Sequence, residues 1–390
     1  MTRIVHVVVA GEIGGAERML VDLASRPRET RAEHVIALLT PNYALANALR
    51  AARVHVHDRG PVREGVFPFL WHSLGPSDVA WLATVLSTER AQVAHLHTFA
   101  SQVIGTRAAR RAAVRVLRTE HSTRAFDDPS CWPFSRWSLA RADACVAVSD
   151  HVRAVARERA PWAAKKLRVV PNGVDTARFA PRHSIRRERF TFVSVGRLER
   201  RKGLDLAIRA LSRTHDARLE VIGDGEERGA LQALAYACNV GDRVRFHGFV
   251  DDPREAVSTS DAALSSSRSE GLGVALLEAM AMGRPVVGFS VGGVREIVVH
   301  GLTGLLAREG DVDALAARMN QAVAAREAMR TFGEAARTRV LERFSVRSMC
   351  EGYARAYSDL VSLAADPAEK PAKDAHDANV AESSSRHRQL

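Results

Sequence analysis

The chain has 390 residues, 46% of them hydrophobic and 26% charged, with a formal net charge of +11. That length is too great for one comfortable core and suits two domains of a soluble globular protein. No apolar run approaches the ~18 residues of a membrane span. Four scattered cysteines (Cys131, Cys145, Cys238, Cys350) form no Cys-x-x-Cys pair, which argues against a disulfide framework or zinc site and for a reducing cytoplasm.

From the N-terminus, Ile4 to Ala10 reads as a buried strand; it contains His6, is cut off by Gly11-Glu12, and is not a signal peptide. Gly14-Gly15 then open a helix over Ala16 to Ser25, where backbone amides can approach a phosphate or a substrate hydroxyl. Gly11-x-x-Gly14-Gly15 lacks the Gly-x-Gly-x-x-Gly spacing. Thr40-Pro41 stand where an acidic residue would close the second strand, which removes a dinucleotide oxidoreductase. Further buried strands are predicted at His34 to Leu39, Val54 to His57, Val93 to His97, Val114 to Arg118 and Cys145 to Val148, with a helix at Ala100 to Ala112. This alternation predicts a parallel doubly wound sheet. His121, in Thr119-Glu120-His121-Ser122, ends a strand and is a candidate site residue; Glu120 is not assigned a catalytic role. His95 and His97 also end a strand, and read equally as acceptor-side residues or as satisfied core histidines.

The polar, Pro-containing stretch 181–189 reads as a linker between a first domain over 1–180 and a second over 190–345. Strands resume at Phe190 to Val195, Leu219 to Ile222, Val244 to Phe246, Ala262 to Leu264 and Pro285 to Gly288, a second doubly wound sheet. Arg197 and Lys202 bracket a turn closed by Gly203. Two cations at a strand's carboxyl end oppose the dipole of the following helix, so they suit a diphosphate better than a helix start. Arg200 and Arg201 add charge that blurs which side chains make contact. A last helix is predicted from Val346 to Ala364, and the Pro-, Ala-, Ser- and charge-rich tail 366–390 buries too little to order itself. No period of 20–50 residues is present.

The most informative stretch is Ser269 to Ile297. Glu270 and Glu278 stand eight residues apart around Gly271, Leu272, Gly273 and Val274, on a strand–turn–helix where an open α/β sheet binds its ligand. The glycines let a phosphate approach the free N–H groups of the helix start. Glu270 precedes the helix, so it faces something rich in hydroxyls. Glu278 sits in an apolar run, where a carboxylate without a partner is costly. A phosphate flanked by two polyols describes a nucleotide sugar, with the hexose at Glu270, the diphosphate at the glycines and the ribose at Glu278.

This segment resembles the Glu-x7-Glu signature of retaining glycosyltransferases of the GT-B fold, specifically family 4 of the bacterial cell-surface polysaccharide type. The likeness extends through Gly14-Gly15-Ala16-Glu17, Thr119-Glu120-His121-Ser122, Pro171-Asn172-Gly173-Val174-Asp175, Val195-Gly196-Arg197-Leu198, Lys202-Gly203 and Ile222-Gly223-Asp224-Gly225 to about Phe344. It implies two Rossmann-like domains facing across a cleft, with the final helix, 346–365, crossing back to the first. It further implies that Arg197 and Lys202 hold the donor's phosphates, that His121 contacts the donor hexose, and that Phe249-Val250 belong to the loop reading the base through its main chain. Transfer of a hexosyl group to a hydroxyl with retention is what the resemblance implies. A nucleotide-sugar epimerase and a non-catalytic nucleotide-sugar-binding protein are the alternatives. UDP-hexose leads GDP-hexose as donor by a narrow margin.

No Asp-x-Asp pair follows a strand, no His/Asp cluster has ligand spacing, and Asp127-Asp128 are adjacent, so a metal-independent reaction without a cofactor is expected. Residues 1–180 hold 25 Lys and Arg against 16 Asp and Glu. Arg107, Arg110, Arg111 and Arg115 cluster; Arg59 and Arg63 precede Phe67, Phe69 and Trp71; Arg136 lies between Trp132 and Trp137. Basic charge beside aromatics suits an anionic membrane surface, and solvated arginines over core aromatics explain it as well. No nucleic-acid motif accompanies the charge. The expectation is a cytoplasmic protein, peripheral at the inner face of the cell membrane, with a lipid-linked or saccharide acceptor.

Overall fold

Short runs rich in Val, Ile, Leu and Ala build two all-parallel sheets in the computed structural model, which describes residues 1–9, 14–60, 75–182 and 188–365. The first sheet comprises β1 (Thr2–Val8), β2 (Ala32–Leu38), β3 (His55–Asp58), β4 (Val93–Leu96), β5 (Arg115–Glu120), β6 (Ala144–Ala147) and β7 (Leu167–Val169), in the order β3-β2-β1-β4-β5-β6-β7. The second comprises β8 (Phe190–Val195), β9 (Ala217–Ile222), β10 (Val244–Gly248), β11 (Ala262–Ser265), β12 (Val286–Phe289) and β13 (Gly304–Ala307), in the order β10-β9-β8-β11-β12-β13. Each order reverses once, between β1 and β4 and between β8 and β11. Outside the carboxyl ends of those strand pairs an open α/β sheet leaves a crevice. Both doubly wound sheets are thus as expected, and their ligand-binding ends are fixed by topology.

Two strands had not been anticipated. β7 has only three residues, and β13 reads Gly-Leu-Leu-Ala, without a β-branched residue. Neither carries a recognisable strand pattern, and each is recruited by the neighbour it pairs with. Several earlier readings lie outside the described residues: Gly11, the aromatic run Phe67, Phe69 and Trp71 with Arg63, the middle of the linker at 183–187, and the tail 366–390.

The chain crosses between the two sheets a second time near residue 345. The Val174 N–H donates to the Phe344 carbonyl at 2.8 Å, and the Val346 N–H to the Val174 carbonyl at 3.1 Å. Gly173 is required there, since a Cβ would lie 2.5 Å from the Ser345 carbonyl oxygen. The following helix, Val346–Ala365, buries Val346, Met349, Cys350, Tyr353, Tyr357 and Leu360, a stripe of helical period. That stripe packs on Ile4 and Val93 of the first sheet and on Met19 and Leu23 of the Gly15–Ala24 helix.

Candidate functional site

At the β8/β11 crevice the sequence places its chemistry in order. After β8 the chain turns through Gly196, and Arg197 emerges exposed. A single 3-10 turn, Arg200–Lys202, then ends on Gly203 with φ +61°, a left-handed conformation that also brings its α-carbon against the Ser266 carbonyl. The turn presents Lys202 to the loop after β11, where its ammonium pairs with Glu270 Oε1. The Ser267 hydroxyl donates to the same oxygen at 2.9 Å. Glu270 is buried, so these two donors offset the cost of holding a carboxylate there. Both use Oε1, leaving Oε2 for a further donor.

Gly273, at φ +94°, caps the Val274–Ala281 helix. The first N–H groups of a helix have no partner inside it and carry the positive end of its dipole. Gly196, Arg197, Lys202, Glu270, Gly273 and Val274 line one cleft. Glu278 lies further along this helix and is also buried. Burial pushes its carboxyl pKa up, while Arg18 pulls the other way through a 3.4 Å contact to Oε1. The costly unpaired carboxylate is therefore avoided by a partner 260 residues away, which no local pattern could reveal. Phe249 is exposed, with Val250 half-buried beside it, after Gly248 at φ +77°.

The opposite wall comes from the first sheet. Gly271 meets the His121 main chain so closely that a Cβ would lie 2.2 Å from the His121 carbonyl oxygen. Gly15 faces Val274 less tightly, an added Cβ lying in ordinary contact at 3.5 Å from the Val274 side chain. His121 and Gly15 of the first half are therefore brought against Gly271 and Val274 of the second. Both ring nitrogens of His121 are buried without a partner among the described residues, and burial pushes its pKa down to about 4, leaving the ring neutral. A neutral imidazole offers one donor and one acceptor, the complement of a sugar hydroxyl.

Glu120 has a different job. It accepts from the fully buried Arg118 at 2.5 Å, and Arg118 also donates to the Ser135 carbonyl and to Gln102. This closed network belongs to the core. Sequence reading missed three further residues. Arg18 and Ser267 position the two acidic residues of the signature. Glu296 reaches across to accept from the Asp150 and His151 N–H groups at 2.8 and 2.6 Å, capping the Asp150–Arg159 helix from the other half.

Metal-ligating types also meet in ways that sequence spacing concealed. Among the described residues His6, His95 and His97 converge from β1 and the end of β4, and His55, His57 and Glu89 from the edge of the sheet. In the buried trio both ring nitrogens of His6 and of His95 are already hydrogen-bonded within the protein.

Comparison with known proteins is consistent over the whole described fold. A "Glycosyltransferase Family 4" profile matches residues 13–178, and a "Glycosyl transferases group 1" profile matches residues 175–339. The chain is 28% identical over 303 residues to an N-acetyl-alpha-D-glucosaminyl L-malate synthase of Bacillus anthracis, covering 72% of this chain and 78% of the relative. It is 33% identical over 276 residues to a GDP-mannose-dependent alpha-(1-6)-phosphatidylinositol monomannoside mannosyltransferase of Mycolicibacterium smegmatis, covering 63% and 70%. In structure it matches the Anabaena protein HepE, solved in complex with UDP and glucose, with a TM-score of 0.79 at 22% identity, over 92% of this chain and 100% of that one.

Proposed function

The chain belongs to glycosyltransferase family 4 and has the GT-B fold, and from that premise we propose that it moves a hexosyl group from a nucleoside-diphosphate sugar to a hydroxyl acceptor with retention at the anomeric carbon. One observation carries the reading: Arg197 and Lys202 face a glycine-lined helix start flanked by two buried, hydrogen-bonded carboxylates. An anion seated there meets cations from the end of β8 and N–H groups from the Val274–Ala281 helix. A polyol on either side meets the remaining oxygens of Glu270 and Glu278.

In this reading the C1–O bond to the diphosphate breaks, its electron pair goes to the leaving oxygen, and Arg197 and Lys202 stabilise the charge that develops. The acceptor oxygen bonds to C1 on the same face and gives its proton to the departing phosphate. Glu270 orients the hexose and does not attack it, His121 touches the hexose from the first sheet, and Glu278 holds the ribose. The second domain, 190–345, binds donor and the first, 1–180, binds acceptor. With two cations at the leaving group, the reaction proceeds without a metal.

The relatives and neighbour support a nucleotide sugar as partner, since one is named GDP-mannose-dependent and another was solved with UDP and glucose; between the two bases, UDP is our choice. The acceptor we propose is a lipid-linked saccharide at an anionic leaflet. In place of the Phe67–Trp71 run, support comes from the Trp132–Arg141 helix, where Arg141 lies over Trp137 at 4.8 Å beside Arg136 and an exposed Trp162. The test incubates the protein with UDP- and GDP-hexoses, with and without a bacterial lipid extract. Nucleoside diphosphate released with a new glycolipid, its anomeric proton matching the donor's configuration, is the expected result. An isomerised sugar nucleotide from donor alone would mark an epimerase, and an inverted anomer would refute retention.

A further inference from the structure

Behind the site, a line of histidines runs through the first sheet. His97 Nε2 lies 2.9 Å from His6 Nδ1, His6 Nε2 lies 2.8 Å from His34 Nδ1, and His34 Nε2 lies 2.7 Å from the Thr30 hydroxyl. All three rings are buried, and burial lowers the pKa of each, to about 4 for His34. Neutral imidazole carries one N–H, so each ring that donates from one nitrogen must accept at the other. The line therefore has a single direction throughout.

Thr30 sets that direction. Its oxygen is 3.0 Å from the Arg26 carbonyl, a group that only accepts, so with one proton on the hydroxyl both of its contacts are hydrogen bonds only when that proton goes to the carbonyl. The Thr30 oxygen then accepts from His34 Nε2–H, His34 Nδ1 accepts from His6 Nε2–H, and His6 Nδ1 accepts from His97 Nε2–H. His97 is left with a bare lone pair on Nδ1. That atom is buried and has no partner among the described residues. A buried acceptor left unmatched costs free energy, so it calls for a ligand.

Its position says which kind. His97 directly follows β4 at the β1/β4 reversal, the crevice where this sheet binds ligands. Its ring stacks on that of His121 at 5.8 Å between centroids. His95, two residues earlier, shows the contrast. Its nitrogens are matched by Tyr357 OH at 2.9 Å and Thr119 Oγ1 at 2.7 Å, so it is a core residue. We infer that His97 Nδ1 accepts a hydrogen bond from a hydroxyl of the acceptor substrate, and that His6, His34 and Thr30 are positioning residues that hold it in the accepting tautomer. This rests on the acceptor site proposed above. A metal is the poorer occupant, because His6 and His95 have no free nitrogen to give it.

The test is long-range ¹H–¹⁵N correlation on the full chain labelled with ¹⁵N-histidine, assigned with His97→Gln. His97, His6 and His34 should all show a protonated Nε2 and a bare Nδ1. Thr30→Val, two histidines away from His97, should shift His97 towards a mixture of tautomers, and Thr30→Ser should restore it. Glycerol, used as a hydroxyl probe, should move the His97 Nδ1 resonance upfield and leave His95 in place. A protonated Nδ1 on His97, or a Thr30→Val spectrum identical at His97, overturns the tautomer lock; an Nδ1 resonance that glycerol leaves unmoved overturns the hydroxyl contact. No nucleotide sugar enters these measurements, so failure of the donor assignment is seen separately.

Discussion

At the scale of single residues, the proposed reaction depends on charges placed where a diphosphate would depart. Removing one preorganised electrostatic partner of a transition state typically costs about 10²–10³ in turnover. Arg197→Ala and Lys202→Met are expected to lower kcat by about that factor. Arg197 is exposed, so its variant should keep wild-type stability. Lys202→Met also leaves Glu270 without its cation, so a lower Tm should accompany the lost turnover. Initial-rate kinetics beside a thermal melt separate the two effects, and near-wild-type rates in both variants would remove the phosphate assignment. Much of this was legible in sequence: Arg197, Lys202, Glu270 and Gly273 line one cleft, and Gly271 beside them meets the His121 main chain. Arg18, Ser267 and Glu296 were not legible, because their roles exist only once residues far apart in the chain are folded together. His97 stood undecided for the same reason, since its two ring nitrogens are distinguished only by neighbours on other strands.

At the scale of elements, backbone approach and buried imidazoles make the fold sensitive to small changes. Gly271 admits no side chain, with 2.2 Å between an added Cβ and the His121 carbonyl oxygen. Forcing a methyl group into such a contact costs about 1–3 kcal/mol. Gly271→Ala should lower Tm by several degrees, and a Tm equal to wild type would show that the two loops separate freely. The histidine line gives a pH dependence of definite sign. Burial lowers the native pKa of His34 from the ordinary 6.5 to about 4. Between those values the unfolded chain binds the proton and the native one does not, so this stability is complete above pH 6.5 and is lost as pH falls towards 4. At 1.36 kcal/mol per unit, His34 alone accounts for about 3 kcal/mol. Urea midpoints at pH 8 and pH 5 should show the decline, and His34→Gln should make it smaller, since His6 and His97 keep their share; equal midpoints in the wild type would contradict the burial of neutral rings. The strands themselves were legible wherever β-branched residues repeat, as in β1 and β8. β13 was hidden because Gly304-Leu305-Leu306-Ala307 gains its strand geometry from β12 and not from its own composition.

At the scale of the whole molecule, two sheets present their switch points to each other, and the helix Val346–Ala365 closes the back by packing on the first sheet. Arg18 to Glu278 and Glu296 to the Asp150–Arg159 helix are contacts between the halves, so Glu278, the carboxylate we propose for the ribose, also ties the halves together. The surplus of basic residues in the first 180 positions, with Trp137 and Trp162 beside Arg136 and Arg141, predicts docking on anionic vesicles. Each cation near such a surface contributes about 1 kcal/mol, and the attraction fades within a Debye length. Co-sedimentation should fall when Arg136 and Arg141 are replaced by Glu, and fall again at high salt; binding indifferent to both would favour an acceptor free in solution. The central claim, that Glu278 holds the ribose of a nucleotide sugar, has a more direct test. Hydrogen bonds to a charged group contribute about 1.5–3 kcal/mol, or roughly 10- to 150-fold in affinity. Isothermal titration across UDP- and GDP-hexoses should find a donor for the wild type and a loss of that size in Glu278→Ala, with the fold kept. A donor bound equally well by Glu278→Ala, or a wild type that binds none of them, would contradict the account.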